Sequence, residues 1–181
     1  MVMSVEIGTL FSSAPLRDLS PGETLFRMGQ PVVTVFLVRV GRVHLRRLTP
    51  GGAEMILQNA GPGAILAEAS VYSPNYHCDA IAAEETRVGG IPKAAFITAL
   101  SQSPELAQNW TETLARSVQA ARMRAEIRSL PKVADRLDAW LDAGNVLPER
   151  GQWQAVAAEL GVTREALYRE LSRRRSEGRN K

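Results

Sequence analysis

The stretch "WQAVAAELGVTREALYREL", residues 153–171, has the pattern of two short helices joined by a tight turn. Gly161 lies between them, where a turn needs a positive φ that glycine adopts without steric cost. Ala157 is small where two helices must approach closely. Thr163 can cap the second helix, although Ala166 occupies the position at which a capping box has Glu. The apolar residues that the two helices would share are Val156, Leu160, Val162, Leu167 and Leu171.

Charged residues begin the second of these helices. Arg164, Glu165 and Arg169 lie on its first turns, away from Leu167 and Leu171. A helix whose N-terminal part enters the major groove can read base edges with such side chains. Arginine bonds guanine O6 and N7 in a bidentate manner, and glutamate accepts a hydrogen bond from cytosine N4. The pattern favours a DNA-reading helix-turn-helix; the alternatives are an ordinary helical hairpin and surface charge on a protein-binding helix.

The C-terminus is basic. Residues 164–181 contain seven basic and three acidic residues, a surplus larger than the net charge of +3 for all 181 residues. Attraction to nucleic-acid phosphate requires such a segment. A solvated tail can have the same composition, so the charge alone does not decide the partner.

Residues 104–130 predict one long helix. Pro104 suits its first turn, with Ser103 as the cap, and "LPK" at 130–132 ends it. So long a helix needs a partner for its apolar stripe, either its own domain or a second copy of the chain. The stripe is not a strict heptad, so it favours neither partner. Its residues are Leu106, Trp110, Leu114, Val118 and Ala121, continued approximately by Ala125 and Ile127.

Residues 20–100 read as short strands cut by Gly and Pro turns, which predicts a small β-sandwich or β-roll. No run of 18 apolar residues exists, so no membrane span is expected. A single cysteine cannot form an internal disulfide and fits a reducing cytoplasm. The sequence has neither a phosphate-binding glycine motif nor a nucleophile–base pair. We therefore expect a cytoplasmic bacterial protein that is not an enzyme.

In this order, a β-roll, a long helix and a helix-turn-helix resemble the cyclic-AMP receptor protein and fumarate-nitrate regulator (CRP/FNR) superfamily. The resembling stretches are "GETLFRMGQPVVTVFLVRVGRVHL", "GPGAILAEASVY" and "GVTREALYRELSR". The likeness spans residues 20–175. It implies an α+β fold with a cyclic-nucleotide-binding-like β-roll (jelly roll) over 1–103, a dimerisation helix over 104–130 and a DNA-binding domain over 131–181.

The resemblance also implies a function: a homodimeric transcription regulator that binds double-stranded DNA at a palindromic operator. Half-sites related to TGTGA are expected, because Arg164, Glu165 and Arg169 match the base-reading positions of the family. RNA polymerase is a further expected partner. The expected DNA contacts are Thr163, Arg164, Glu165, Tyr168, Arg169 and Arg173. The expected dimerisation residues are Leu106, Trp110, Leu114, Val118 and Ala121.

The printed residues end at "SRRRSEGRNK" without the two short strands that usually form a wing in this family. The wing contributes phosphate contacts, although arginines of the tail could replace some of them. Glu170 also stands where a neutral or apolar residue is more usual. An effector-binding or protein-interaction module with a degenerate DNA-binding end is therefore the alternative.

The family's effector frame aligns without a gap on "AEASVYSPNYHCDA", residues 67–80. Glu68 is kept, but Ala67 stands for a glycine, Cys78 for the phosphate-binding arginine and Asp79 for a serine. Phosphate needs the guanidinium's charge and paired donors, which Cys78 lacks. Asp79 would repel phosphate by roughly 4 kcal/mol at about 4 Å in a medium of dielectric near 20. We expect an unknown small-molecule effector other than cyclic AMP, or none. The candidate pocket residues are Glu68, Ala69, Ser70, His77, Cys78 and Asp79.

Haem or thiol sensing through His77 or Cys78 is a second alternative, since some superfamily members hold haem in this region. In an extended strand these neighbours point to opposite faces, so they would not share one ion. Either residue could bind with a partner elsewhere, such as His44. A thiol sensor needs an exposed, acidified cysteine, and Asp79 should raise the pKa of Cys78. We expect Cys78 to be buried packing, with no cofactor and no metal.

Overall fold

The computed structural model describes residues 7–48 and 54–178. These residues form two compact units: residues 7–48 with 57–118, and residues 54–56 with 119–178. The strands are β1 Leu16–Leu19, β2 Thr24–Phe26, β3 Thr34–Val40, β4 Val43–Leu48, β5 Glu54–Ala60, β6 Ile65–Leu66, β7 Asp79–Ala82 and β8 Thr86–Pro92. The helices are α1 Lys93–Gln102, α2 Pro104–Ser129, α3 Val133–Asp142, α4 Trp153–Leu160 and α5 Arg164–Gly178. Single 3₁₀ turns occupy Ile7–Phe11, Glu68–Ser70 and Arg150–Gln152.

The strands form two four-stranded sheets in the orders β1-β8-β3-β6 and β2-β7-β4-β5. Neighbouring strands pair antiparallel, for example Leu37 opposite Gly89 and Leu45 opposite Ala80. Inward-facing aliphatic side chains such as Val38, Val43 and Val88 are fully buried in the core of this unit. The jelly-roll-like architecture followed by helices confirms the α+β fold expected from the sequence.

Gly41 makes the tight β3–β4 turn possible. Its φ is +80°, and a Cβ there would lie 2.2 Å from the carbonyl oxygen of Glu85. The Thr86 hydroxyl lies beside this turn, where it accepts from the N–H of Arg42 at 3.1 Å. No larger residue fits at position 41 without displacing backbone, so the turn depends on glycine.

A second apolar cluster joins α1 and the start of α2 to the sheet. Phe96 meets Trp110 edge-on, with 5.1 Å between ring centroids, and Leu106 is buried in the same cluster. Ser103 caps α2 through a hydrogen bond from the N–H of Leu106 to its hydroxyl (3.3 Å). The beginning of α2 is therefore packed within its own unit.

In the C-terminal unit, α3, α4 and α5 surround a third apolar cluster. Its central side chains, Leu137, Leu160 and Leu167, are fully buried. The helix break predicted at "LPK" lies between the end of α2 at Ser129 and the start of α3 at Val133. The α4–α5 pair is the helix-turn-helix that the sequence predicts.

Candidate nucleic-acid interface and effector loop

The turn between α4 and α5 has the geometry that its sequence requires. Gly161 has φ +66° in the left-handed region, and the N–H of Val162 donates to the carbonyl of Ala157 at 2.9 Å. The Thr163 hydroxyl accepts from the N–H of Ala166 at 3.2 Å, so Thr163 caps α5 as predicted. The first turn of α5 is therefore fixed in direction.

Two arginines not identified from the sequence hold the C-terminal end of α4. Arg136 Nη1 donates to the carbonyls of Leu160 (3.1 Å) and Gly161 (3.0 Å), and Arg128 Nε donates to that of Glu159 (2.8 Å). These bonds satisfy carbonyls that a helix leaves unpaired, and they place cations at the negative end of its dipole. The turn that orients α5 is thus supported by α2 and α3.

Side chains of α5 divide into a buried and an exposed face. Leu167 has no exposed surface and Leu171 is buried, whereas Arg164, Glu165 and Arg169 are exposed. At about 100° per residue, Glu165 and Arg169 lie on the side of α5 roughly opposite the two leucines. Arg164 is exposed but falls within about 20° of Leu171 around the helix and stacks on Tyr168, so the expectation that all three charged residues face away from the leucines is correct only for Glu165 and Arg169.

The other predicted DNA-contact residues are in different environments. Tyr168 is half-buried: its ring packs on Trp153 with 4.9 Å between centroids, and its hydroxyl donates to the carbonyl of Arg150 at 3.1 Å. Arg173 Nη2 lies 2.7 Å from a carboxylate oxygen of Glu170. Thr163 is exposed and caps the helix. Structural contacts therefore already engage Tyr168 and Arg173.

An ionic network that the sequence does not predict joins α5 to α3. Arg174 lies 2.6 Å from oxygens of both Glu170 and Asp138, and it donates to the carbonyl of Ala134 at 3.1 Å. Hydrogen bonds from Arg173 lower the pKa of the Glu170 carboxyl, outweighing its burial, and Arg174 adds to the effect. Glu170, which is unusual for the family, thus joins the helix-turn-helix to the preceding helix.

The effector loop begins with an unusual backbone conformation. Ala67, which replaces the glycine of the family, has φ +53° and ψ +43° and is buried. Left-handed backbone costs an L-residue with a Cβ roughly 1–2 kcal/mol. The local conformation that suits glycine is kept. Behind it, Glu68 is half-buried, Ala69 is exposed and Ser70 is buried.

The residues at the other end of the loop alternate in burial. His77 is exposed, Cys78 is 5% exposed and Asp79 is half-buried, so the first two point to different sides as expected. The pKa of the Cys78 thiol is raised to about 11, mainly by burial; Arg47 lowers it, and Asp79 and Glu68 contribute to the rise. Asp79 Oδ1 accepts from the N–H of Met28 at 2.8 Å. The loop brings Glu68, Cys78 and Asp79 within electrostatic reach of one another.

Arg47 on β4 provides a cation that the alignment does not reveal. Its Nε and Nη2 donate to the carbonyl oxygen of His77 at 3.2 and 2.7 Å. Its guanidinium is exposed and lies near the position where the family has an arginine and this chain has Cys78. Two of its donors are engaged by the loop's own backbone.

A groove of about 310 Å³ lies elsewhere on this unit, and none of the six candidate pocket residues lines it. Phe26 and Tyr76 stack beside it with 3.8 Å between ring centroids. Its lining residues are Leu25, Phe26, Gln30, Pro31, Val33, Thr34, Phe36 and Tyr76. Among the described residues, no group of three or more His, Cys, Asp and Glu side chains is placed to hold a metal ion.

The predicted dimerisation stripe on α2 is divided by burial. Trp110 is 3% exposed and Leu106 is similarly buried, because both pack into their own unit, so neither is open to a second chain. Leu114 is half-buried, and Val118 and Ala121 are exposed. The stripe available to a partner is therefore shorter than the five residues expected. No helix in the described ranges is long and apolar enough to cross a membrane.

Sequence comparisons match the chain to one domain family and to several curated proteins. Residues 16–103 match the model of the cyclic nucleotide-binding domain. The cyclic AMP receptor protein of Thermus thermophilus is 28% identical over 123 residues, covering 67% of this chain and 57% of that protein. Transcriptional activator protein anr of Pseudomonas aeruginosa is 27% identical over 125 residues, covering 69% of this chain and 51% of that protein.

Similarity to solved structures covers more of the chain than the sequence matches do. The structure of FixK2 from Bradyrhizobium japonicum superimposes with a TM-score of 0.79 at 19% identity, over 91% of this chain and 86% of that one. The chain spans about half the length of the curated relatives it matches. The name of anr describes a transcriptional activator, and neither of the two names indicates a catalytic function. Residues 16–103 therefore resemble a cyclic nucleotide-binding domain, and the chain is similar to a cyclic AMP receptor protein and to the transcriptional activator anr.

Proposed function

We propose that the chain is a sequence-specific DNA-binding transcription regulator. The observation that carries this proposal is the exposed face of α5, where Glu165 and Arg169 point away from buried Leu167. Neither Glu165 nor Arg169 forms an ion pair within the described residues, so their hydrogen-bonding groups are available to base edges. A bidentate arginine–guanine contact discriminates between bases by about 1–3 kcal/mol.

The DNA-bound form is proposed to be a homodimer that pairs through α2. Leu114, Val118, Ala121 and Ala125 follow one another at intervals of four, three and four, the spacing of a coiled-coil seam. Val118 is 50% exposed, which is unfavourable for valine unless a second copy covers it. A twofold pair of α5 helices would read a palindrome whose half-sites lie about 34 Å apart. Residues 1–103, 104–130 and 131–181 would be the effector-domain, dimerisation and DNA-binding parts.

Cyclic AMP is proposed not to be the effector. Position 78 offers a buried neutral thiol instead of a guanidinium, and two donors of nearby Arg47 are bonded to the His77 carbonyl. The Asp79 carboxylate lies in the same loop, held by the N–H of Met28. An uncharged small molecule, or no ligand, fits these groups better than a phosphate. Thiol sensing is disfavoured because burial keeps Cys78 protonated. Cytoplasmic location and contact with RNA polymerase belong to the same proposal.

The test is a binding-site selection from random duplex DNA with the purified full chain. The proposal predicts enrichment of a palindrome with TGTGA-related half-sites, and loss of preference at one base pair per half-site in Arg169→Gln. Absence of enrichment, together with equal weak binding to every duplex, would contradict it in favour of the effector-binding or protein-interaction module. Calorimetric titration with cyclic AMP should give no heat of binding; micromolar affinity would refute the effector proposal.

A further inference from the structure

Two aromatic rings in the C-terminal unit hold three arginines. Tyr168 of α5 and Trp153 of α4 pack edge-on against each other. The Cζ atoms of Arg150 and Arg164 lie 5.7 and 5.1 Å from the Tyr168 ring centroid. The Cζ atom of Arg175 lies 5.2 Å from that of Trp153. We call Arg150, Arg164 and Arg175 the stacked arginines; all three are exposed.

The stacked arginines differ from their neighbours in electrostatic state. Arg173 and Arg174 are neutralised by Glu170, and Arg174 also by Asp138. No stacked arginine has a carboxylate partner in the part of the chain that the structure describes. A guanidinium stacked on an aromatic face is not neutralised, and its N–H donors point outward in its own plane, away from the ring. It can therefore still bind a phosphate.

The two kinds of arginine also occupy different sides of α5. At about 100° per residue, Arg164, Tyr168 and Arg175 fall within about 40° of one another on one flank. Glu165 and Arg169 are next to that flank, on the outward face. A helix in the major groove lies between two phosphate backbones, so its outward face meets bases while its flanks meet phosphates. Arg164 is the exception, because it begins the helix, and the N-terminal end of a recognition helix is the part that contacts base edges.

The segment before α4 is fixed to the same rings. The Tyr168 hydroxyl donates to the carbonyl of Arg150 at 3.1 Å, and Trp153 Nε1 donates to that of Pro148 at 2.9 Å. Arg150 is thereby brought beside α5 although it is fourteen residues before Arg164 in the sequence. Its position depends on the rings and cannot be inferred from helical periodicity.

We propose that Arg150 and Arg175 bind phosphates of duplex DNA from this aromatic platform, and that Tyr168 is a positioning residue that orients Arg150 and Arg164. This inference rests on the proposed function and specifies its backbone contacts. The paired arginines, Arg173 and Arg174, stabilise the fold and contribute little to the binding of phosphate.

The experiment measures fluorescence anisotropy of the selected duplex and a scrambled one over a series of salt concentrations. Arg150→Gln and Arg175→Gln should each reduce the slope of log affinity against log salt by about 0.9 per protomer, hence about 2 in a dimer. The reduction should be equal for both duplexes. Arg27→Gln, which removes one exposed charge from the β-roll, is the matched control and should leave the slope unchanged.

Tyr168→Phe keeps the ring on which Arg150 and Arg164 stack but removes the hydrogen bond to the carbonyl of Arg150, so it should lower the slope less than Tyr168→Leu does. Tyr168→Leu should also weaken discrimination at the guanine read by Arg164. Circular dichroism of each variant reports whether it folds. If Tyr168→Leu does not fold, the two arginine variants still test the proposal. If Arg150→Gln and Arg175→Gln give the same slope as Arg27→Gln, this inference is overturned. The proposed function still stands in that case, provided that the wild-type protein binds the selected duplex. A wild-type protein without salt-dependent DNA binding refutes both.

Discussion

The reactivity of Cys78 tests whether the effector loop is a packed scaffold or a thiol sensor. Burial raises the pKa of this thiol from an ordinary 9.0 to about 11, so its thiolate fraction near neutral pH falls about 100-fold. The sulfur must also be reached through a side chain that is only 5% exposed. We therefore expect the native protein to react with a maleimide or an aromatic disulfide at least about 100 times more slowly than the same protein in guanidinium chloride.

The assay is simple because Cys78 is the only cysteine. The native rate should rise about tenfold per pH unit up to about 11, because only the thiolate reacts. The charges near Cys78 determine whether each of three variants reacts faster or more slowly than wild type. Arg47→Gln should slow the reaction, since Arg47 lowers the pKa of the thiol. Asp79→Asn and Glu68→Gln should accelerate it, since both carboxylates raise the pKa. A native rate within a few-fold of the unfolded rate, levelling off below pH 9, would show an accessible and acidic thiol and refute this account of the loop.

Three further predictions concern folding and assembly. The pKa of Glu170 is lower in the folded protein than its unfolded value near 4.5, so the ionised carboxylate stabilises the fold above that value and the effect is lost as pH falls through the folded pKa. In urea unfolding between about pH 5 and 3, wild type should therefore lose more stability than Glu170→Gln. Parallel curves of stability against pH would contradict this. Ala121→Glu should dissociate the proposed dimer in sedimentation velocity, whereas Ala120→Glu, exposed but off the stripe, should not; equal effects would remove α2 as the seam. Gly41→Ala should destabilise the β-roll by about 2–4 kcal/mol, against about 1 kcal/mol for Gly22→Ala, which has a similar φ and open space; equal losses of Tm would show that the close contact is relieved cheaply.

The parts of the structure that could be predicted from the sequence are those determined by residues close together in the chain. Gly161 and Thr163 determine the turn between α4 and α5 through their own backbone preferences, so the helix-turn-helix could be recognised from a short stretch. Alternation and glycine spacing likewise predicted the β-roll. The order of these elements was enough to suggest the CRP/FNR relationship that the comparisons confirm.

The parts that could not be predicted depend on contacts between residues distant in sequence. An apolar stripe predicts that one face of a helix is covered but does not identify what covers it. Leu106 and Trp110 therefore fit a dimer contact in the sequence, although in the structure they pack in one cluster with Phe96. Arg47 on β4 reaches the carbonyl of His77, just before the neighbouring strand β7, and Arg174 on α5 reaches Asp138 on α3. Neither pair has a characteristic spacing, and both change the chemistry of the site to which they belong.

The most direct test of the account is the affinity ratio between the selected duplex and a scrambled duplex of the same base composition, at one fixed salt concentration. If Arg164, Glu165 and Arg169 of two symmetry-related α5 helices read bases, the ratio should be at least about 10³. It should fall roughly tenfold or more in Glu165→Ala, with the affinity for scrambled DNA not reduced. A ratio near one for wild type would show that this exposed face does not read sequence and would contradict the account.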